Sequence, residues 1–302
     1  SERSTRRGED ITATRQDDDS PAVRASEALM GMLNGEQHPY GRRAKGSVEI
    51  IESLTSDRLV TLHHTRFAPS ELSAVVVGDV ATDRVLDAAQ RVFSGWRAGK
   101  PVPVVLPPVK RATERRQRVI PMMNKAQTDI AYGFTTITRD DPAFYAYWLM
   151  NVALGQYAIG GRLGDSIRER QGMAYYVSSS FDANVLEGPL AIRAGVSPAN
   201  VERAIASIDE ELVRLRRDGL DEKELQDMKQ YLIGSMPRAL ETNAGIANFL
   251  QTMEFFGLGL DYDRRLPGLL SGVTLEQVHE AARQAVDPAR ATVVVAGPYT
   301  NS

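Results

Sequence analysis

The stretch LGQYAIGGRLGDSIRERQGMAYYV, residues 154–177, holds the change of pattern on which the fold turns. Residues 161–171 read as a polar helix, and YYVSSSFDAN (175–184) reads as a strand. Arg168 stands seven residues before Tyr175, across that change. Spacing alone favours a plain reading of the two, with Arg168 paired to a surface acid and Tyr175 as half-buried packing. By strand alternation Tyr176 should point to the opposite sheet face from Tyr175 and join the core.

Working outward, YYVSSSFDAN and PLAIRAGV form a strand pair, and DPAFYAYWLMNVALG (141–155) is a strongly apolar helix. QRVIPMM (117–123) and TDIAYGFTTI (128–137) are strands. Helical patterns follow at 198–217, 221–238, 242–256 and 274–286, and ATVVVAGP (291–298) is a last strand. Upstream, Ser20 caps a helix over 21–34 with Pro21 at its first position. HPYGRRAKGS (38–47) is a loop, and a helix over 56–67 is capped by Thr55 or Ser56. LSAVVVGDV (72–80) reads as a buried strand and TDRVLDAAQRVFSGW (82–96) as an amphipathic helix. Four prolines in GKPVPVVLPPVK (99–110) mark an extended linker. Strands interrupted by helical pairs argue for layered α+β domains.

The chain has 302 residues, 42% apolar and 25% charged, with net charge −3. That supports a normal core and roughly two domains. No basic stripe with interleaved aromatics suggests nucleic acid. No apolar run approaches the roughly 20 residues of a membrane span. Without cysteine there is no disulfide, no thiol nucleophile and no Cys-ligated zinc. Periplasm and cytoplasm fit this composition equally. The opening SERSTRRGEDITATRQDDDS lacks an initiator Met and an apolar stretch, and reads as a cut end.

Two segments match without gaps: residues 53–80 lie over 272–299. Thr55 falls on Thr274, Pro69 on Pro288 and Gly78 on Gly297, an offset of 219 each time (274 − 55, 297 − 78). Each copy is a capped helix, a Pro-marked turn and a strand. A duplicated module is therefore expected, the first copy incomplete.

The stretch 154–177 resembles the signature of the C-terminal domain of M16 metallopeptidases, the group of pitrilysin, insulin-degrading enzyme and mitochondrial processing peptidase. HPYGRRAKGSVEIIESLTSDRL (38–59) and APSELSAVVVGDV (68–80) resemble the end of that family's N-terminal domain. The resemblance implies two related layered α/β domains: residues 1–98 as the latter part of the first, 99–116 as linker and 117–302 as the second. It implies zinc-dependent endopeptidase chemistry. It also implies that an inverted H-x-x-E-H motif holds the zinc in the first domain. His38, His63, His64 and His279 have no such spacing, so zinc is expected on residues outside this chain. The downstream ligand position falls near Ala13, with Glu9 close by, and neither is assigned. Arg168 and Tyr175 match the family's substrate-handling pair, Tyr175 as a catalytic hydrogen-bond donor and both as substrate-binding groups. The expected partners are a peptide and either a missing N-terminal segment or a zinc-bearing partner subunit in a dimer. This chain alone is expected to be inactive. The alternative is a non-catalytic subunit or scaffold that presents peptides to such a partner.

Other features carry less. His63 and His64 are adjacent and cannot face one metal from a helix, unlike an i, i+4 pair. IGGRLG (159–164) lacks the Lys–Ser/Thr of a phosphate loop and reads as a turn. QDDD (16–19) reads as a solvated turn, and MEFFGLGL (253–260) as core or an inter-domain face.

Overall fold

The computed structural model describes residues 2–96, 105–156 and 161–300. In chain order the elements are α1 (Glu2–Asp18), α2 (Pro21–Asn34), α3 (Val48–Ser53), α4 (Ser56–Arg66), α5 (Thr82–Phe93), β1 (Arg116–Pro121), β2 (Thr128–Thr135) and α6 (Phe144–Asn151). Then come β3 (Ala174–Phe181), β4 (Pro189–Val196), α7 (Val201–Asp218), α8 (Glu222–Ala239), α9 (Asn243–Phe255), α10 (Tyr262–Ser271), α11 (Leu275–Ala285) and β5 (Thr292–Gly297). They group into two compact units. One joins Ser1–Val48, Leu106–Gln230 and Leu269–Ser302; the other joins Glu49–Val105 and Tyr231–Gly268. The grouping cuts across the expected boundaries at 98 and 117.

The first unit is the expected layered α+β arrangement. Its five-stranded sheet has the order β1-β5-β2-β4-β3. β1 runs parallel to β5, and the other pairs are antiparallel. Tyr132, Ile192 and Val293 are wholly buried on one face, where the Tyr132 hydroxyl donates to Asp209 of α7 at 2.8 Å. Burial, then the neighbouring Asp209, pushes that phenol's pKa up. The opposite face carries Ala131, Ala191, Val294 and Ala296, small side chains that leave room for Ala25, Leu29 and Leu33 of α2. α2 begins as its sequence suggests: the Ser20 hydroxyl accepts from the Val23 amide at 3.5 Å. Its place on a sheet that starts 95 residues after Pro21 (116 − 21) is a tertiary fact that no local pattern carries.

α1 was not expected, because its sequence shows no apolar period. The acids read as a solvated turn end that helix and are ion-paired instead: Asp17 with Lys45 at 2.6 Å, Asp18 with Arg43 at 2.8 Å, Asp19 with Lys125 at 2.6 Å. α10 also escaped the pattern, since Pro267 lies inside it. Residues 105–115 of the linker have no regular structure; 97–104 lie outside the described residues.

The second unit corrects one expectation outright. Residues 72–80 are not a buried strand. They form no ladder, and Leu72, Val76 and Val80 are exposed. The duplicated copies explain the misreading. Thr55 and Thr274 both cap, accepting from the Arg58 and Gln277 amides at 3.4 and 3.3 Å. Both helices run into single turns, Pro69–Glu71 and Pro288–Arg290, still 219 residues apart (288 − 69). After that the copies diverge. β5 lies between β1 and β2 with every residue buried, whereas 73–78 has no strand beside it among the described residues. An apolar run can become a buried strand only where neighbours pair with it. α4 likewise leaves Leu59, Val60 and Leu62 exposed, while Val278, Ala281 and Ala282 of α11 are covered. In MEFFGLGL, read as core or an inter-domain face, Phe255 and Leu260 are exposed, and only Met253 is fully buried.

Candidate functional site

Arg168 lies in the wide helical turn Gly164–Arg170, whose hydrogen bonds run i to i+5. Such turns are uncommon and frequently mark functional positions. Arg162, just before it, is fixed: its guanidinium grips Glu224 with two bonds at 2.9 and 2.7 Å and donates to the Gly219 carbonyl at 2.8 Å. A forked, charge-assisted contact of this kind sets direction as well as distance. Residues 159 and 160 of the glycine-rich turn lie outside the described residues.

The chain then reverses. The Gly172 amide donates to the Arg168 carbonyl at 3.0 Å, and the Met173 amide to that of Ile167 at 3.1 Å. Gly172 has φ +61, a left-handed conformation that only glycine adopts without strain. β3 follows at once, so Tyr175 stands three residues beyond the last helical turn's anchor. The Arg168 side chain is 45% exposed, and among the described residues its guanidinium is ion-paired with Glu169 alone, at 3.7 Å. In water so loose a pair contributes little and leaves the guanidinium available. Tyr175 is 64% exposed, and its hydroxyl has no hydrogen bond among the described residues. It is therefore not half-buried packing.

The ladder shows why. Ala174 pairs with Val196 and Tyr176 with Gly195, so Tyr175 is a surplus residue in a β-bulge. Ala174 lies opposite Val196 and Val177 opposite Ala194, so both take one face although three residues apart, which strict alternation forbids. The expectation that Tyr176 takes the core face is overturned for this reason. Tyr176 is half-buried, and its ring reaches over Gly195 to donate its phenol proton to Asp129 of β2. Burial first, then that hydrogen bond, pushes the phenol's pKa well above its usual value. Gln127 also donates to Asp129, at 3.0 Å. Asp129, Gln127 and Gly195 come from separate strands or loops, and no local spacing announces them.

The histidines do not suit zinc. His38 Nδ1 accepts from the Tyr40 amide and Nε2 sits 3.0 Å from the Pro107 carbonyl oxygen. His279 Nε2 lies 3.0 Å from the Arg216 carbonyl oxygen. His63 stacks on Phe67 and Trp96, with ring centroids at 5.5 and 5.6 Å. Among the described residues no group of three or more His, Asp or Glu side chains could hold a metal ion. No described helix is long and apolar enough to cross a membrane.

Known proteins are similar to this chain. A protein of Mycobacterium leprae named an uncharacterized zinc protease is 26% identical over 294 residues, 94% of this chain and 63% of the relative. The chain thus spans less than two thirds of that relative's length. A Bacillus subtilis protein named probable inactive metalloprotease YmfF is 24% identical over 215 residues, 70% of this chain and 49% of that one. The crystal structure of a peptidase M16 inactive domain from Pseudomonas fluorescens superposes with a TM-score of 0.88 at 25% identity, covering 100% of this chain and 71% of that one. The sequence profile described as the peptidase M16 inactive domain matches residues 53–232, more than half of the chain. The chain belongs to the M16 peptidase family.

Proposed function

We propose that this chain is the peptide-gripping part of an M16 zinc endopeptidase, with Arg168 and Tyr175 as the groups that hold the substrate. One observation supports the reading: the bulge and the wide turn set two exposed donors, a guanidinium and a phenol, at the junction of one helical turn and one strand. A phenol can donate to the oxygen of a peptide carbonyl as it gains charge, an interaction worth roughly 3 kcal/mol in comparable sites. A guanidinium offers fixed donors to a carbonyl or carboxylate. On this reading the zinc belongs on residues outside this chain, since His38, His63 and His279 are engaged otherwise and no described group of three His, Asp or Glu side chains could hold it. Residues 1–98 and 117–302 would then be related halves, the first completed by a zinc-bearing segment or partner subunit. The open apolar surface of α4 and residues 72–80 supports such a complement.

A second reading has its own support. Relatives include a probable inactive metalloprotease of Bacillus subtilis and a non-peptidase homolog of Helicobacter pylori. On that reading the same residues present peptides without cutting them. Binding and cleavage of fluorescein-labelled casein peptides by the full-length protein separate the two. Both readings predict binding that Arg168→Ala and Tyr175→Phe weaken; only the first predicts cleavage. Peptide binding indifferent to both substitutions would overturn both.

A further inference from the structure

Tyr175 and Tyr176 are identical and adjacent, yet one is surplus to the ladder and the other is tied into it. Nothing within β3 makes that choice. The tie lies two strands away. Tyr176 on β3, Gly195 on β4 and Asp129 on β2 form one row across the sheet. Tyr176 reaches Asp129 only because residue 195 has no side chain. A Cβ there would stand 2.5 Å from the tyrosine ring and 2.4 Å from Gln127 Nε2. Asp129 is 3% exposed, and its Oδ1 accepts from both Gln127 and Tyr176.

We infer that Asp129 is a positioning residue, acting through Tyr176, that decides which phenol the bulge presents to the peptide. This rests on the substrate-handling role of Tyr175 proposed above. A bulge is one surplus residue, and moving it by one position flips the side chains it passes. Here a shift would place Tyr176 where Tyr175 stands and change the angle from which a phenol approaches. The bond to Asp129 selects one register. The turn at Gly172 fixes the other end, through the amides of Gly172 and Met173 on the carbonyls of Arg168 and Ile167. The bulge is thus held between the wide turn that carries Arg168 and a carboxylate on β2.

The test uses full-length protein and fluorescein-labelled casein peptides, with amide hydrogen exchange of residues 174–178 measured alongside. Tyr176→Phe and Asp129→Leu should weaken peptide binding roughly tenfold, the scale of a lost hydrogen bond to a charged group. Both should speed exchange at 174–178. Asp129→Asn keeps an acceptor oxygen and should stay within about threefold of wild type. Added to Tyr175→Phe, Tyr176→Phe should cost nothing further, because both act on one contact. If Tyr175→Phe weakens binding and Tyr176→Phe does not, the positioning role is wrong and the substrate role stands. If Tyr175→Phe is itself silent, the substrate role falls. Should Asp129→Leu fail to fold, Tyr176→Phe decides alone: unchanged exchange at 174–178 would overturn the tether.

Discussion

Replacing Leu29 by alanine tests whether α2 is part of the sheet that begins at residue 116. Leu29 is 2% exposed and sits among Ala25, Leu33, Ala131, Ala191, Val294 and Ala296. Its methyl carbons come within 2.9 and 3.2 Å of the point where a side chain at Gly133 would begin. β2 therefore accepts the leucine only because residue 133 has no side chain. Truncation removes three carbons from a dry site. At ~0.8 kcal/mol for each, the transfer loss is about 2.4 kcal/mol. The space left unfilled brings the cost to about 2–5 kcal/mol. Gly133→Ala alone should cost about 1–3 kcal/mol by pressing on Leu29. In the double variant the new methyl enters the space that Leu29 leaves. Its loss should fall short of the two singles combined by about 1 kcal/mol. Urea unfolding followed by circular dichroism measures all four proteins, with the denaturant slope expected to match wild type in each. Additive losses, or a Leu29→Ala cost below about 1 kcal/mol, would refute the packing of α2 on this sheet.

Three further outcomes follow from the same structure. Thr274→Ala removes a capping box in which Thr274 and Gln277 bond each other's backbone, and should cost about 1 kcal/mol in the same urea assay. Val76→Lys changes a 57% exposed side chain, so the chain's own stability should move by less than about 0.5 kcal/mol. If 73–78 meets a zinc-bearing complement, however, the same variant should lose that association in analytical ultracentrifugation. Burial, against the opposing pull of Arg214, Arg162 and Arg170, raises the Glu211 carboxyl above 4.5. An acid with a raised folded-state value loses stability as pH climbs from its unfolded value through the folded one. Glu211→Gln should therefore gain on wild type as pH rises past about 4.5 in thermal melts, and parallel curves would contradict this.

What could be read from the sequence follows from how far each cause reaches along the chain. Ser20 and Pro21 start α2 through contacts within one turn, and that helix begins where those residues indicate. Thr55 and Thr274 do the same for α4 and α11. Residues 72–80 carry the composition of a buried strand, but composition cannot supply neighbours, and the segment stays open. α1 has no apolar stripe to announce it. The Arg168–Tyr175 pair came from a motif, but the motif assumes regular alternation. The extra residue between Ala174 and Tyr176 is set by pairing with β4, and the Asp129 bond by Gly195 on another strand. Both are invisible to any window along β3.

The central claim, that Tyr175 touches the peptide during cleavage, is tested most directly by kcat/KM of the zinc-loaded full-length protein on fluorescein-labelled casein peptides. Tyr175→Phe removes one oxygen from an exposed side chain, so Tm should not move. The rate constant kcat/KM should fall by about 100-fold, the scale for losing one donor to a developing oxyanion. A Tyr175→Phe enzyme that cuts as fast as wild type would contradict the account.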